Sequence, residues 1–141
     1  MNLDGKRSGT GKPGETGRRK LLGHAGEIVA RVFLESNGFL ILSENYRRRG
    51  GEVDLVVYKD RMLAFVEVKT RNEDDPVDLT VDTYSETQMN RLAELSETWI
   101  FENEDRLPVD FDLRYDLVVV GSNGKGGLEV KEHIADVFRA R

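Results

Sequence analysis

The chain has 141 residues, with 21 Lys and Arg against 26 Asp and Glu, a formal charge of −5 and no cysteine. That length argues for one domain able to bury a core unaided, and the lack of cysteine excludes disulfides and cysteine-ligated zinc or clusters. No apolar run approaches the ~20 residues that span a bilayer, so the expectation is a soluble cytoplasmic protein with no membrane partner.

Residues 1–19 hold Lys6, Arg7, Lys12, Arg18 and Arg19 against Asp4 and Glu15, with five glycines and almost no apolar residue. Such a stretch cannot repay the entropy of ordering, so it reads as a flexible basic arm ahead of a single domain at 20–141. The arm either touches phosphates or is a solvated tail or expression remnant.

Leu21, Leu22, Ala25, Ile28, Val29, Val32 and Phe33 recur at helical steps and predict one apolar stripe on a helix ending near Asn37-Gly38. Phe39 to Leu42 predicts a short strand, and Arg47, Arg48 and Arg49 follow in a charged loop. Next come Gly51-Glu52-Val53-Asp54-Leu55 and Val66-Glu67-Val68-Lys69, where charged residues two apart alternate with aliphatic ones. In strands this puts the charges on one face and the valines on the other. A two-residue turn at Asp60-Arg61 predicts a register in which Asp54 faces Glu67 and Glu52 faces Lys69. Carboxylates opposed at roughly 4.5–5.5 Å between Cβ atoms repel unless something positive lies between them, and a divalent cation meets that need.

Residues 72–83 form a long loop rich in Asp and Glu, a surface open to a protein partner. Ser85 is placed to cap a second amphipathic helix running to about Glu104, and strands follow at 110–120 and 128–134. Trp99-Ile100-Phe101 reads as a buried helix end or a partner surface. The class expected is α/β, in the order α-β-β-β-α-β-β.

Several residues carry two readings. Glu27 is a solvated helix carboxylate or a site residue, and Glu52 is an ion-pair partner of Lys69 or Arg71 or a ligand. Arg47, Arg48, Arg49, Arg71 and Gln88 are nucleic-acid contacts or ordinary surface groups. Asp116, alternate with Arg114, reads as half of an internal ion pair, and His133 as a surface or packing histidine.

Gly26-Glu27, Asn45-Tyr46-Arg47, Gly51-Glu52-Val53-Asp54-Leu55, Phe65-Val66-Glu67-Val68-Lys69 and Arg114-Tyr115-Asp116-Leu117-Val118, in that order, resemble the motifs of the YraN family of bacterial proteins. The resemblance spans roughly residues 19 to 138. It implies a restriction-endonuclease-like mixed sheet flanked by helices, similar to that of Holliday-junction resolvases. It further implies that Asp54 and Glu67 bind metal, that Lys69 orients or activates the attacking water, and that Glu27 is an auxiliary carboxylate. A strand carbonyl such as that of Val68 completes the set.

The function so implied is a Mg²⁺- or Mn²⁺-dependent endonuclease hydrolysing DNA, branched or processed DNA included, and a homodimer suits a symmetric substrate. The alternative is a nucleic-acid-binding or protein-interaction module with weak or no turnover, which suits the acidic composition.

Overall fold

The computed structural model describes residues 15–72 and 85–137. A five-stranded mixed sheet is flanked by two helices, in the order expected. Helix α1 (Glu15–Ser36) is followed by strands β1 (Leu40–Arg48), β2 (Gly51–Lys59) and β3 (Met62–Thr70). Helix α2 (Glu86–Glu102) then crosses over to β4 (Asp112–Ser122) and β5 (Leu128–Ile134). The strands lie in sequence order, antiparallel except for the β3/β4 pair, which is parallel because α2 carries the chain back between them.

Local chemistry accounts for most boundaries. Helix α1 ends in a Schellman motif: Gly38, at φ 90°, and Phe39 donate their N–H groups to the carbonyls of Glu35 and Leu34. Helix α2 opens with a capping box, in which Gln88 N–H donates to Ser85 Oγ and Ser85 N–H to Gln88 Oε1. Asp60 and Arg61 both have positive φ (51° and 66°) between the paired Lys59 and Met62, as a type I′ hairpin turn requires.

Three expectations are corrected. Helix α1 starts at Glu15, inside the stretch read as an arm: Glu15 suits a helix N-terminus, and Arg18, Arg19 and Lys20 are good helix formers. Residues 1–14 and most of the acidic loop at 72–83 lie outside the described residues. The apolar stripe of α1 is rotated, for Leu21, Ile28 and Val32 are exposed while Gly26, Ala30 and Leu34 are buried. Small residues at 26 and 30 let the helix lie close to the sheet, with Leu34 buried beside them and Val29 and Phe33 partly buried against the same core. Finally, β1 runs to Arg48, well past Leu42, because its backbone keeps pairing with β2 as far as Arg48 opposite Gly51.

Each face of the sheet has its own core. Ala30 and Leu34 of α1 pack with Leu55, Val57, Ala64, Val66, Val118 and Val120. On the other face Leu95 and Trp99 of α2 pack with Val53, Val56, Leu63, Phe65, Tyr115 and Leu117. Trp99 is fully buried, edge-on to Phe65 at 5.8 Å between centroids, and donates to Ser43 Oγ at 2.8 Å, whereas Phe101 is 75% exposed. No helix among the described residues is long and apolar enough to cross a membrane.

Candidate metal centre

The sheet comes apart at the point where the two charged runs meet. The β2/β3 ladder has the expected register from Lys59 and Met62 up to Leu55 and Val66, and pairing ends there. Asp54 and Glu67 stand one step beyond the last pair, at the mouth of a fork. The Asp54 carboxylate replaces the missing backbone partner, accepting the Val68 N–H on Oδ2 at 2.7 Å.

On the other side of β2, pairing is recorded for Glu44 with Leu55 and for Tyr46 with Val53, but not for the step between them. There Asn45 has φ 52°, a left-handed conformation that asparagine tolerates. The kink breaks the two-residue alternation, so Val53 packs in the core against α2 while Leu55 packs against α1. The even alternation expected of Glu52 to Leu55 therefore fails at Asp54.

Helix α1 supplies the next group. A Cβ at Gly26 would overlap Thr70 Oγ1 outright, so only glycine lets this turn of helix rest on the end of β3. That close approach delivers the neighbouring Glu27 to the fork, where one of its carboxylate oxygens lies within 4.8 Å of Asp54.

Among the described residues, Glu27, Glu52 and Asp54 offer carboxylate oxygens that all lie within 4.8 Å of one another. Glu67 is drawn instead to Lys69, whose Nζ is 2.9 Å from Glu67 Oε2. Glu52 is held by Arg47 at 3.2 Å rather than by Lys69, since the ladder that would have opposed it to Lys69 does not extend that far. Glu52 thus moves from a weak candidate to a convergent one. Its signal in the sequence was its place two residues before Asp54.

The electrostatics mark a site short of positive charge. Burial is the largest influence on Asp54 and pushes its carboxyl up to about 7; Glu27, Glu67 and Glu52 push the same way, against the Val68 N–H. Glu27 is raised by burial and by Glu52. Protonation of one carboxyl would relieve this repulsion, and so would a divalent cation. The donor set is all carboxylate oxygen, which suits Mg²⁺ or Mn²⁺ and not a soft metal.

Asp54 and Glu67 form a ridge between two clefts. The cleft toward α1, about 360 Å³, is also lined by Leu22, Glu27, Val68 and Lys69. The cleft toward α2, about 340 Å³, is also lined by Glu52, Gln88, Arg91 and Leu95.

The remaining candidates divide. Arg48 is committed to Glu102, with contacts of 2.8 and 3.3 Å, and stacks on Tyr46 at 4.4 Å. The Gln88 amide oxygen is taken by the capping box. Arg49 lines a small cleft with Gly50 and Arg91, and Arg71 lines a separate one near the β4–β5 turn. Arg91 is the residue that sequence reasoning missed; it follows Gln88 by three positions and precedes Leu95 by four, a spacing that puts all three on one helix face.

Fold and site together define an α/β protein with a partly buried acidic centre where two sheet strands part. The chain belongs to UPF0102, described as "Uncharacterised protein family UPF0102", whose family model matches residues 26–120. That span includes Glu27, Glu52, Asp54, Glu67 and Lys69. It is 36% identical over 120 residues to a "UPF0102 protein" of Roseiflexus castenholzii, covering 84% of this chain and 94% of that one. It is also similar to the "UPF0102 protein" of Pelobacter propionicus, at 34% over 142 residues (94% and 96%), and to that of Geobacter metallireducens, at 33% over 121 (84% and 93%).

Proposed function

We propose that this protein is a divalent-metal-dependent nuclease that hydrolyses phosphodiester bonds of DNA. The observation that carries the reading is Asp54: a mostly buried carboxyl raised to about 7, with Glu27, Glu52 and Glu67 around it and Lys69 close by. A fold does not keep such a concentration of like charge for stability. The resemblance to restriction-endonuclease-like enzymes implies this chemistry for Glu27, Asp54, Glu67 and Lys69; Glu52 is added by its place in the structure.

Mg²⁺ or Mn²⁺ held by Asp54 with Glu27 and Glu52, or with Glu67 and the Val68 carbonyl, would supply a water of lowered pKa and charge stabilisation at the phosphate. The chain's own residues do the rest. The Val68 N–H fixes the Asp54 carboxylate so that one oxygen is tied and the other remains for the site. Lys69, restrained by Glu67, presents an ammonium to charge building on the phosphate oxygens and orients the attacking water. Glu27, its carboxyl raised by burial and by Glu52, is placed to accept or return a proton.

The acidic balance of the chain favours a second reading, a nucleic-acid-binding or protein-interaction module on the same scaffold without turnover. Calorimetric titration of Mg²⁺ and Mn²⁺ into the wild type and Asp54→Asn, with cleavage of four-way-junction, single-stranded and duplex DNA in the same samples, separates the two. The nuclease reading expects metal binding and cutting that both disappear in the variant. Cutting by a folded Asp54→Asn protein at the wild-type rate, or a wild type that neither binds metal nor cuts, overturns it.

A further inference from the structure

The acidic centre does not stand alone. Four clefts adjoin one another in a row, each sharing lining residues with the next. The small cleft of Arg49 and the α2-side cleft share Gly50, Arg91 and Leu95. The α2-side and α1-side clefts share Asp54 and Glu67. The α1-side cleft and the cleft of about 440 Å³ near the β4–β5 turn share Asn72. Charge follows the row in a pattern of cation, acid, cation.

Among the described residues most cations are already engaged, Arg31 by Glu35 and Glu44, Arg47 by Glu52, Arg48 by Glu102, Arg61 by Asp110, Lys69 by Glu67, Arg114 by Asp116 and Lys131 by Glu129. Arg49 and Arg91, at one end of the row, and Arg71, at the other, have no carboxylate partner among the described residues. The Arg71 Nε is buried with no hydrogen-bond partner among the described residues, while Arg71 itself lines the cleft. A phosphate oxygen in this cleft would pair with its guanidinium.

We propose that the four clefts form one track for a single polynucleotide strand. The strand's phosphates are held by Arg91 and Arg49 before the acidic centre and by Arg71 after it, or in the reverse polarity. The proposal rests on the nuclease reading for the phosphate at the centre, and adds the form of the substrate and the residues that hold its flanks. The track passes from the α2 face of the sheet to the α1 face over the ridge of Asp54 and Glu67 at the mouth of the fork between β2 and β3. Duplex DNA, stiff over about 50 nm, does not bend sharply over such a ridge, whereas a single strand bends at each nucleotide.

The test measures binding apart from cutting. Fluorescence anisotropy of a labelled oligothymidylate, and of a duplex of equal length, is followed against salt in an Asp54→Asn background. Arg91→Ala, Arg71→Ala and Lys125→Ala are each added to it; Lys125 is an exposed cation of the β4–β5 turn that lines none of the clefts. The track requires that the single strand bind more tightly than the duplex. It also requires Arg91→Ala and Arg71→Ala each to weaken binding about tenfold and to reduce the logarithmic salt slope by about 0.7, while Lys125→Ala does neither. Arg71→Lys should retain most of the slope.

Equal loss from all three alanine variants, duplex binding as tight as single-strand binding, or no binding at all overturns the track. Cutting by the protein with Asp54 intact is scored separately, with Mg²⁺ and Mn²⁺. Cutting that ignores Arg91 and Arg71 leaves the nuclease and removes the track. Arginine-dependent binding without cutting keeps the track and removes the nuclease.

Discussion

Two aspartates sit in the same sheet, each largely removed from water, and the fold treats them in opposite ways. Asp116 on β4 is 2% exposed and is met from three sides. Arg114 donates to both its oxygens at 2.8 and 2.9 Å, His133 Nε2 lies 2.8 Å away, and the Asp136 N–H donates at 3.0 Å. Burial pushes its carboxyl up, yet His133, Arg114 and the Asp136 N–H together hold it below the usual range. Asp54 on β2 receives one backbone N–H and three neighbouring carboxylates, and is left at about 7. Asp116 is the more deeply buried of the two and yet is the structural anchor, while Asp54 is a site waiting for positive charge. The cation supplied by the fold at Asp116 must come from outside at Asp54.

The comparison predicts opposite answers to removing each carboxylate. Asp116→Ala leaves Arg114 and His133, both mostly buried, without their shared carboxylate and should cost roughly 3 kcal/mol. Asp54→Asn relieves repulsion and should leave metal-free stability within about 1 kcal/mol of wild type, or raise it. Urea unfolding of both variants in chelator reads the difference directly. An Asp54→Asn protein destabilised as much as Asp116→Ala would mean that Asp54 too is an anchor, and the comparison would fail.

The pH dependence should split in the same way. Between the ordinary aspartate range and about pH 7, folded Asp54 keeps a proton that the unfolded chain has lost. The folded state binds more protons in that window, so metal-free stability falls as pH rises through it, by on the order of 2 kcal/mol, and levels off above it. Asp116, lowered in the fold, contributes in the other sense: its stability is present above the ordinary aspartate range and is lost on acidification below it. Urea midpoints across this range in chelator should show the falling limb in wild type and lose it in Asp54→Asn. A wild type that grows more stable from about pH 4 to 7 would show Asp54 to be compensated after all.

A smaller effect tests how the centre is assembled. Gly26→Ala forces α1 away from Thr70, at a cost of about 1 kcal/mol, and withdraws Glu27 from Asp54. Calorimetry should then find weaker Mg²⁺ and Mn²⁺ binding, partly restored when Thr70→Ala makes room. Unchanged metal affinity in Gly26→Ala would exclude Glu27 from the centre.

Much of this was legible in the residues. Periodicity placed both helices and all five strands, Ser85 and Asn37-Gly38 marked helix ends, and the Asp60-Arg61 turn implied the register found in the regular part of the hairpin. Arg114 and Asp116 were paired from their spacing alone, although His133 and the Asp136 N–H were not foreseen. Glu27, Asp54, Glu67 and Lys69, singled out in the sequence, line one cleft, but the ion pairs were not foreseen: Lys69 turned to Glu67, Glu52 to Arg47 and Arg48 to Glu102. Ion pairs between long side chains depend on which strands stay in register and for how far, and two-residue alternation carries no signal for the place where a ladder stops.

The chain by itself therefore determined what depends on neighbours in sequence: helix caps, a two-residue turn, the alternation of core and polar positions, and the order of the elements. Only the tertiary structure decided what depends on close approach. Asn45 takes a left-handed turn opposite Asp54, β2 leaves β3 beyond Leu55, and Gly26 lets α1 touch Thr70. Those packing events bring four carboxylates to one fork and leave Asp54 without a cation such as the Arg114 guanidinium that Asp116 received. Burial and charge at a point are sums over the whole fold, and no local pattern contains them.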